Sequence, residues 1–310
     1  MRTRIIIFVL LFAGLGVYAQ QDAQYTNYMY NTININPAYA GSRGCLSVFG
    51  LHRTQWVGLD GAPVTNTFSI QMPLGKKVGV ALGVINDRIG PSVENNISGD
   101  FSYSVPTSET FKLSFGVKAS VNLLDVDFNK LNIQNRPASS FAQGIDQKFS
   151  PNIGAGVYYH SDNSYIGLSV PNILETEHYD KGTKIGSTTT TYTANERMNF
   201  YAIAGHVFDL SENIKFKPAV LAKIVTGAPL QVDATANFMF NEKFVLGAAY
   251  RWSAALSALV GFQATDSWFI GYGYDLETTK LAGYNSGSHE IFLRYEMFNK
   301  YDKIVSPRFF

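Results

Sequence analysis

Five histidines, His52, His160, His178, His206 and His289, would have to carry any acid–base or zinc chemistry, and their spacing builds neither. There is no His-Glu-x-x-His to put two imidazoles on one helical face, and a single cysteine, Cys45, cannot complete a thiolate cluster. Ser288 and His289 adjoin, but neighbours in an extended segment point to opposite faces, so hydroxyl and imidazole cannot share a proton. The nucleophile-elbow pattern G-x-S-x-G is absent. "GAGVYY" and "GYGYDL" each hold a G-x-G without the third glycine or a following helix, so they read as small residues on a strand face. "DVDFNK" begins like a calcium loop at Asp125, Asp127 and Asn129, yet Lys130 replaces the required glycine and Arg136 the closing glutamate. The expectation is a chain with no catalytic, cofactor or metal site.

The elements that carry these residues are extended. In "TFKLSFGVKASVNLL", Phe111, Leu113, Phe115, Val117, Ala119, Val121 and Leu123 share one face. Lys112, Ser114, Gly116, Lys118, Ser120 and Asn122 share the other. Such a strand is about twice the usual length of 5–6 residues and must cross something thicker than a domain layer. Fourteen alternating segments are predicted, at about 44–53, 65–73, 77–87, 94–105, 110–125, 150–160, 165–171, 198–210, 214–225, 229–240, 244–252, 255–265, 268–276 and 288–298. Tight turns follow every even segment, and longer links follow most odd ones, notably 126–149, 172–197 and 277–287.

An even number of strands, turns at one end and loops at the other describe a transmembrane antiparallel β-barrel of about 14 strands, occupying residues 44–298. Phe240, Phe244 and Trp268 fall beside the turns, and Tyr250, Trp252, Tyr272 and Tyr274 at the opposite strand ends, as two interfacial girdles require. A soluble sandwich gives no reason for so many long strands or for one turn-only end. With the turn at 241–243, Phe240 faces Phe244, and counting back sets Asp233 opposite Arg251 on the lumen side with Lys223 diagonal to them. Lys112, Lys118, Lys223, Asp233 and Arg251 are the expected lumen charges.

Composition agrees with a membrane surface. Charged residues are 16% of the chain, against about 25% in soluble domains, and 25 basic against 24 acidic residues leave no footprint for nucleic acid. Residues 1–19 combine a basic start, an apolar run and a small residue before Gln20, the pattern of a cleaved signal peptide. That run is too short to span a bilayer, and Cys45 lies too far in to be a lipid-bearing first residue.

The segment 20–43 is the most specific part of the sequence. "QDAQYTNYMYNTININPAYAGSRG" holds Gln24, Tyr25, Tyr28, Asn31, Asn36, Pro37 and Tyr39, then Ala40 and Gly41. This pattern resembles the PorP/SprF family of type IX secretion outer-membrane proteins of Bacteroidetes. So do "HRTQWVGLDGAP", "PNIGAGVYYHSDNSYIGLSVPNIL", "KPAVLAKIVTGAPLQVDATANFMFNEKFVLGAAYR", "YNSGSHEIFLRY" and the closing "SPRFF". The resemblance implies a non-enzymatic barrel working with the translocon and the periplasmic ring. It would help export, or anchor at the surface, a large cargo bearing a type B C-terminal domain, such as a gliding adhesin.

Roles for particular residues are expectations. Segment 20–43 either plugs the lumen or meets a periplasmic partner; Arg53, Gln55 and Trp56 sit in the first outer loop, where Trp56 is either a cargo contact or a girdle residue. The tail 299–310 offers Ser306, Pro307, Arg308, Phe309 and Phe310 as a partner motif. A passive porin or a hydrophobic-solute (FadL-like) transporter shares every fold-level feature, and a structural adhesion barrel is a third class; the terminal blocks favour secretion over a simple pore.

Overall fold

The computed structural model describes residues 25–127, 130, 145–175, 181–185, 188–192, 197–225 and 228–298. The strands are β1 (Leu46–Thr54), β2 (Val64–Leu74), β3 (Val78–Ile89), β4 (Ser92–Pro106), β5 (Lys112–Val126), β6 (Ile145–His160), β7 (Ser164–Val170), β8 (Lys181–Ile185), β9 (Thr188–Tyr192), β10 (Asn199–His206), β11 (Phe208–Ser211), β12 (Ile214–Val225), β13 (Gln231–Phe240), β14 (Phe244–Arg251), β15 (Ala255–Gln263), β16 (Trp268–Glu277) and β17 (Ser288–Met297). All but β8 and β9 belong to one antiparallel sheet, in which β1 pairs with β17 and β10 with β12, closing the cylinder. Since β11 continues β10, the barrel has fourteen staves. No helix among the described residues is long and apolar enough to cross a membrane.

Closure follows from the solvent. Hydrocarbon offers nothing to an unpaired N–H or C=O, so a spanning sheet must have no edge. Partners followed from strand to strand, Phe216, Phe238, Leu246, Val260, Tyr272, Ile291, His52, Asn66, Asn86, Asn95, Leu123 and Phe149, climb from the turn end of β12 to the loop end of β6. A full circuit returns to β12 about 14 residues further along, a stagger that inclines the strands by roughly 35–45°.

The sidedness is that of a membrane barrel. On β5, Phe115 and Val117 are 48% and 57% exposed, whereas Ser114, Lys118, Ser120 and Asn122 are buried. Elsewhere Leu82, Leu168 and Ile166 face outward while Thr65, Ser102 and Asn237 are sealed from solvent. Apolar residues outside and polar ones inside invert the soluble pattern, and only a lipid surround makes that stable.

Two local departures have physical causes. The segment expected at 198–210 breaks into β10 and β11, and the ladder is interrupted between the pairs Gly205–Ala219 and Phe208–Phe216, where Pro218 offers no N–H. Val207, at the break, donates its N–H to the carbonyl of Asn163 at 2.7 Å. Opposite Asp125 of β5, β6 carries a bulge at Asp146 and Gln147; the Asp125 carboxylate accepts the N–H of Gln147 at 2.8 Å, and Gln147 has a positive φ of 41°. The apparent calcium-loop start is thus a bulge clamp. The link between β7 and β10 carries a small hairpin of its own, β8–β9.

Placing Arg at Val117, on the lipid face, is expected to destabilise the barrel by about 2–4 kcal/mol if it lies near the bilayer midplane. Glu109→Arg, in an exposed turn, should change little. Reversible folding into lipid vesicles measures both, and equal effects would contradict the assigned outer face.

Candidate functional site

A fourteen-stranded barrel leaves a bore that wall side chains cannot fill, since about eight strands is the size at which they can. Here residues 25–43 enter it. Tyr28, Met29, Tyr30, Ile33, Ala38 and Tyr39 are buried and pack with the inward residues Phe49, Leu51, Tyr158, Tyr165, Phe269 and Phe292. Tyr30 lies against Phe269 and Phe292, with ring centres 5.4 and 4.9 Å away, and Tyr39 meets the Tyr158 ring edge-on at 5.5 Å. The apolar core of this molecule is therefore inside its polar bore and is supplied by the N-terminal segment.

The Asn36–Gly41 stretch explains its own residue types. Asn36 caps a single 3-10 turn, Pro37–Tyr39, accepting the N–H of Ala38 at 2.9 Å while its amide donates to the Val157 carbonyl at 3.0 Å. Pro37 takes the first helical position, where no N–H is needed. The backbone then lies directly on wall glycines: a Cβ on Gly116 would stand 2.1 Å from the Ala38 nitrogen, and one on Gly156 2.1 Å from Asn36 Oδ1. Ser102 donates to the Ala40 carbonyl at 2.7 Å. Gly41, at φ +69°, turns the chain toward β1, and a Cβ there would stand 2.7 Å from the Gly79 Cα. We call Asn36–Gly41 the foot of the segment.

The other end is held by charge. Arg53 donates to Asp275 at 2.7 Å, to Glu290 at 3.1 Å and to the Thr26 hydroxyl at 3.2 Å. Glu290 accepts the backbone N–H of Thr26 at 3.1 Å and that of Asn27 at 2.9 Å, and the Asn27 amide donates to it at 2.6 Å. The Thr26 hydroxyl donates to Asp275 at 2.7 Å. Arg53 and Glu290 are 2% and 0% exposed, so these charge-assisted bonds operate out of water. This latch lies near the loop end of β1, β16 and β17, whereas the foot lies near the turn end, so residues 25–43 run the length of the bore.

Other expected site residues fall as follows. Tyr25 bonds Thr67 hydroxyl to hydroxyl at 3.1 Å, and Asn31 is buried between a 3-10 turn, Tyr28–Tyr30, and a short helical turn, Thr32–Ile35. Asp233 stands directly opposite Arg251, with the ion pair at 3.0 Å, and Arg251 also donates to the Tyr25 carbonyl at 3.4 Å. Lys223 pairs in register with Gln231, one step diagonal to Asp233, with its ammonium 5.7 Å from the Tyr201 ring. Lys118 pairs with Asp100 at 3.4 Å. Gln24, Ser306, Pro307, Arg308, Phe309 and Phe310 lie outside the described residues.

Two expectations are corrected. Arg53 is no outer-loop contact: it is a β1 residue facing the bore, and its carboxylate partners keep it from the surface. Lys112 is not enclosed in the lumen, because it opens β5 at the turn-side rim and is exposed there. Gln55 and Trp56 do belong to the first loop. Trp56, at φ 46°, donates its indole N–H to Glu277 at 3.1 Å and its backbone N–H to Ser288, while Val57 bonds Gly287, so the first and last outer loops are stitched together. Beside them opens a cleft of about 390 Å³ lined by Gln55, Leu59, Asp60, Arg88 and Lys130 among others. The latch acids Asp275 and Glu290 escaped the sequence reading. Their signal was there: in "SHEIFLRYEM", Glu290, Arg294 and Glu296 alternate with the lipid-facing residues.

The fold and its sidedness define an outer-membrane β-barrel protein. The family model for the type IX secretion system membrane protein PorP/SprF matches residues 17–295, and the chain belongs to that family. Among solved structures it resembles the CymD monoaromatic hydrocarbon channel, with 11% identity and TM-score 0.51 over 92% of this chain and 96% of that one. It also resembles the Ralstonia pickettii toluene transporter TbuX, with 11% identity and TM-score 0.51 over 91% and 95%. The Acinetobacter baumannii outer membrane protein Omp33 aligns at 10% identity and TM-score 0.47 over 82% and 98%. At such identities the likeness concerns the fold alone. No curated protein matches the chain.

Two substitutions test the seating of the segment. Gly116→Val should drive the foot off the wall and make an Ala38→Cys thiol accessible to aqueous reagents, whereas Gly50→Ala, with open space around it, should not. Unchanged protection in Gly116→Val would contradict the contact. Arg53→Met strands two buried carboxylates and is expected to cost about 3–5 kcal/mol, read as a lowered denaturant midpoint; an unchanged midpoint would show that the latch holds nothing.

Proposed function

We propose that this protein is a non-enzymatic platform of the type IX secretion system: it stays closed to solutes and presents its outer loops to a cognate cargo carrying a type B C-terminal domain. Family membership supports the system, and the translocon and periplasmic ring are the partners this reading gives it. The observation that carries the finer reading is the bore-long segment, pinned by charge at one end and by backbone-on-glycine contact at the other. A conduit for polypeptide or solute would have to break both attachments. A platform need break neither, and its stitched outer loops around Gln55 and Trp56 then offer a fixed contact surface.

Hydrophobic-solute transport is the competing reading, and it predicts an open or openable path. In planar bilayers the intact protein is expected to be silent and a chain lacking residues 25–43 to conduct; conductance by the intact protein would overturn the closed platform. In the bacterium that carries the gene, its deletion should strip one or a few type B cargoes from the cell surface, scored by surface proteomics. An unaltered surface with impaired uptake of apolar compounds would favour the transporter.

A further inference from the structure

The outer wall is not apolar all the way round. Strands of a tilted barrel leave their turn-side ends at one level and gain about 2.5 Å of height per residue. Seven to nine residues up, the outward positions are Leu256 on β15, Leu276 on β16, Ile97 on β4, Val121 on β5 and Ile153 on β6, all exposed except the half-buried Val121. Eight residues up, the adjacent staves β17, β1, β2 and β3 carry His289, Thr54, Asn66 and Asn86 instead. That height, about 20 Å, falls within an apolar band about 25 Å tall. Four neighbouring staves thus notch the band where the others continue it.

The polar groups of the notch are joined in a ladder. The Thr54 hydroxyl lies 3.2 Å from His52 Nε2, and His52 Nδ1 lies 2.8 Å from Asn66 Oδ1. The Asn66 amide donates to Asn86 at 3.4 Å and the Asn86 amide to Asn95 of β4 at 2.8 Å, while on β16 the Tyr272 hydroxyl lies 2.6 Å from His289 Nδ1. Mutual bonding lowers the cost of polar side chains on such a wall, yet aliphatic ones would carry no such cost. At the top of the notch Thr54, Val64 and Arg88 pair in register, point outward and line the cleft of about 390 Å³ beside the first loop. Asp60 and Lys130 line it too, with the Lys130 ammonium 4.0 Å from Asp127. Below the ladder the wall is bare: nothing lies within 4 Å of where a Cβ on Gly50 would stand.

We propose that this sector binds a lipid of the loop-side leaflet through a phosphate-bearing headgroup. Arg88 holds the phosphate, since a guanidinium fork fits two of its oxygens. The ladder meets the remaining polar atoms of the headgroup below the level they reach elsewhere, and an acyl chain lies along the bare wall at Gly50. Size selects a lipid over a protein. Four staves about 4.8 Å apart and one or two outward positions tall present on the order of 100 Å², whereas a stable protein contact takes about 800 Å² from each partner. The site rests on the outer wall and its rim, so it stands apart from the secretion reading.

Native mass spectrometry of the full chain, released from micelles holding equal amounts of phosphatidylglycerol and phosphatidylcholine, tests it. Phosphatidylglycerol should be retained in preference, about tenfold more weakly in Arg88→Gln and in the double variant Asn66→Leu with Asn86→Leu, but unchanged in the turn-side control Lys76→Gln. Equal retention of the two lipids, or retention indifferent to both changes, overturns the proposal. So does displacement of the lipid by excess inorganic phosphate, which would make the occupant a free anion, or a paired mass lost in the ladder variant, which would make it a second copy of the chain. An independent readout compares Asn66→Cys with Val121→Cys, at matching heights, in a Cys45→Ser background in vesicles of the same two lipids. A charged thiol reagent should reach position 66 and spare position 121; equal protection would mean that the band has no notch. Heat-modifiable migration shows for each variant that the barrel has formed, so a lost signal is not mistaken for a lost fold.

Discussion

Hydrocarbon cannot hydrogen-bond, so every amide of a chain that crosses it must be answered by another part of the protein. For a β structure this means closure, and closure by fourteen staves means a wide bore lined by the polar half of each alternating strand. From that single constraint follow the apolar exterior, the polar interior and the need for something to occupy the space between. The molecule answers the last need with its own N-terminal segment.

That segment solves two problems by different chemistry. Along the foot, glycines on β3, β5 and β6 let backbone approach backbone, which is why a pattern of asparagine, proline, alanines and glycine precedes the first strand. At the loop side, buried carboxylates bind both an arginine of the wall and main-chain N–H groups of the segment. Removing one partner from such a network leaves uncompensated charge in a poorly hydrated space, so its members are interdependent. Between these attachments, Tyr28, Tyr30 and Ile33 build an apolar core where a porin would hold water.

Much of the fold was legible in the sequence because lipid enforces strict alternation. The segment at 110–125 became Lys112–Val126, and the hairpin count that set Asp233 opposite Arg251 needed only the turn at 241–243 and a period of two. Legibility failed where pairing depends on a distant strand: Pro218 breaks a ladder twelve residues earlier in the chain, and nothing near Val207 announces it. Arg53 was read as a loop residue although it closes the predicted segment 44–53, because strand ends are blurred by a few residues; β1 runs through Thr54 and turns Arg53 into the bore. Lys112 shows the reverse error, since correct parity on a strand does not say how far along the bore a side chain sits. The N-terminal block was visible as specific, but whether it faced the bore or a partner could not follow from local pattern, because its contacts lie on β3, β5, β6, β16 and β17.

The account rests on the N-terminal segment occupying the bore in the membrane-embedded protein. The most direct test replaces Tyr30 and Phe292, whose rings are 4.9 Å apart, with cysteines and treats intact outer membranes with a short thiol-to-thiol crosslinker. The account predicts an internal bridge, seen as a mobility shift that neither single substitution gives. A failure to bridge, with position 30 reacting freely with a water-soluble thiol reagent, would contradict it.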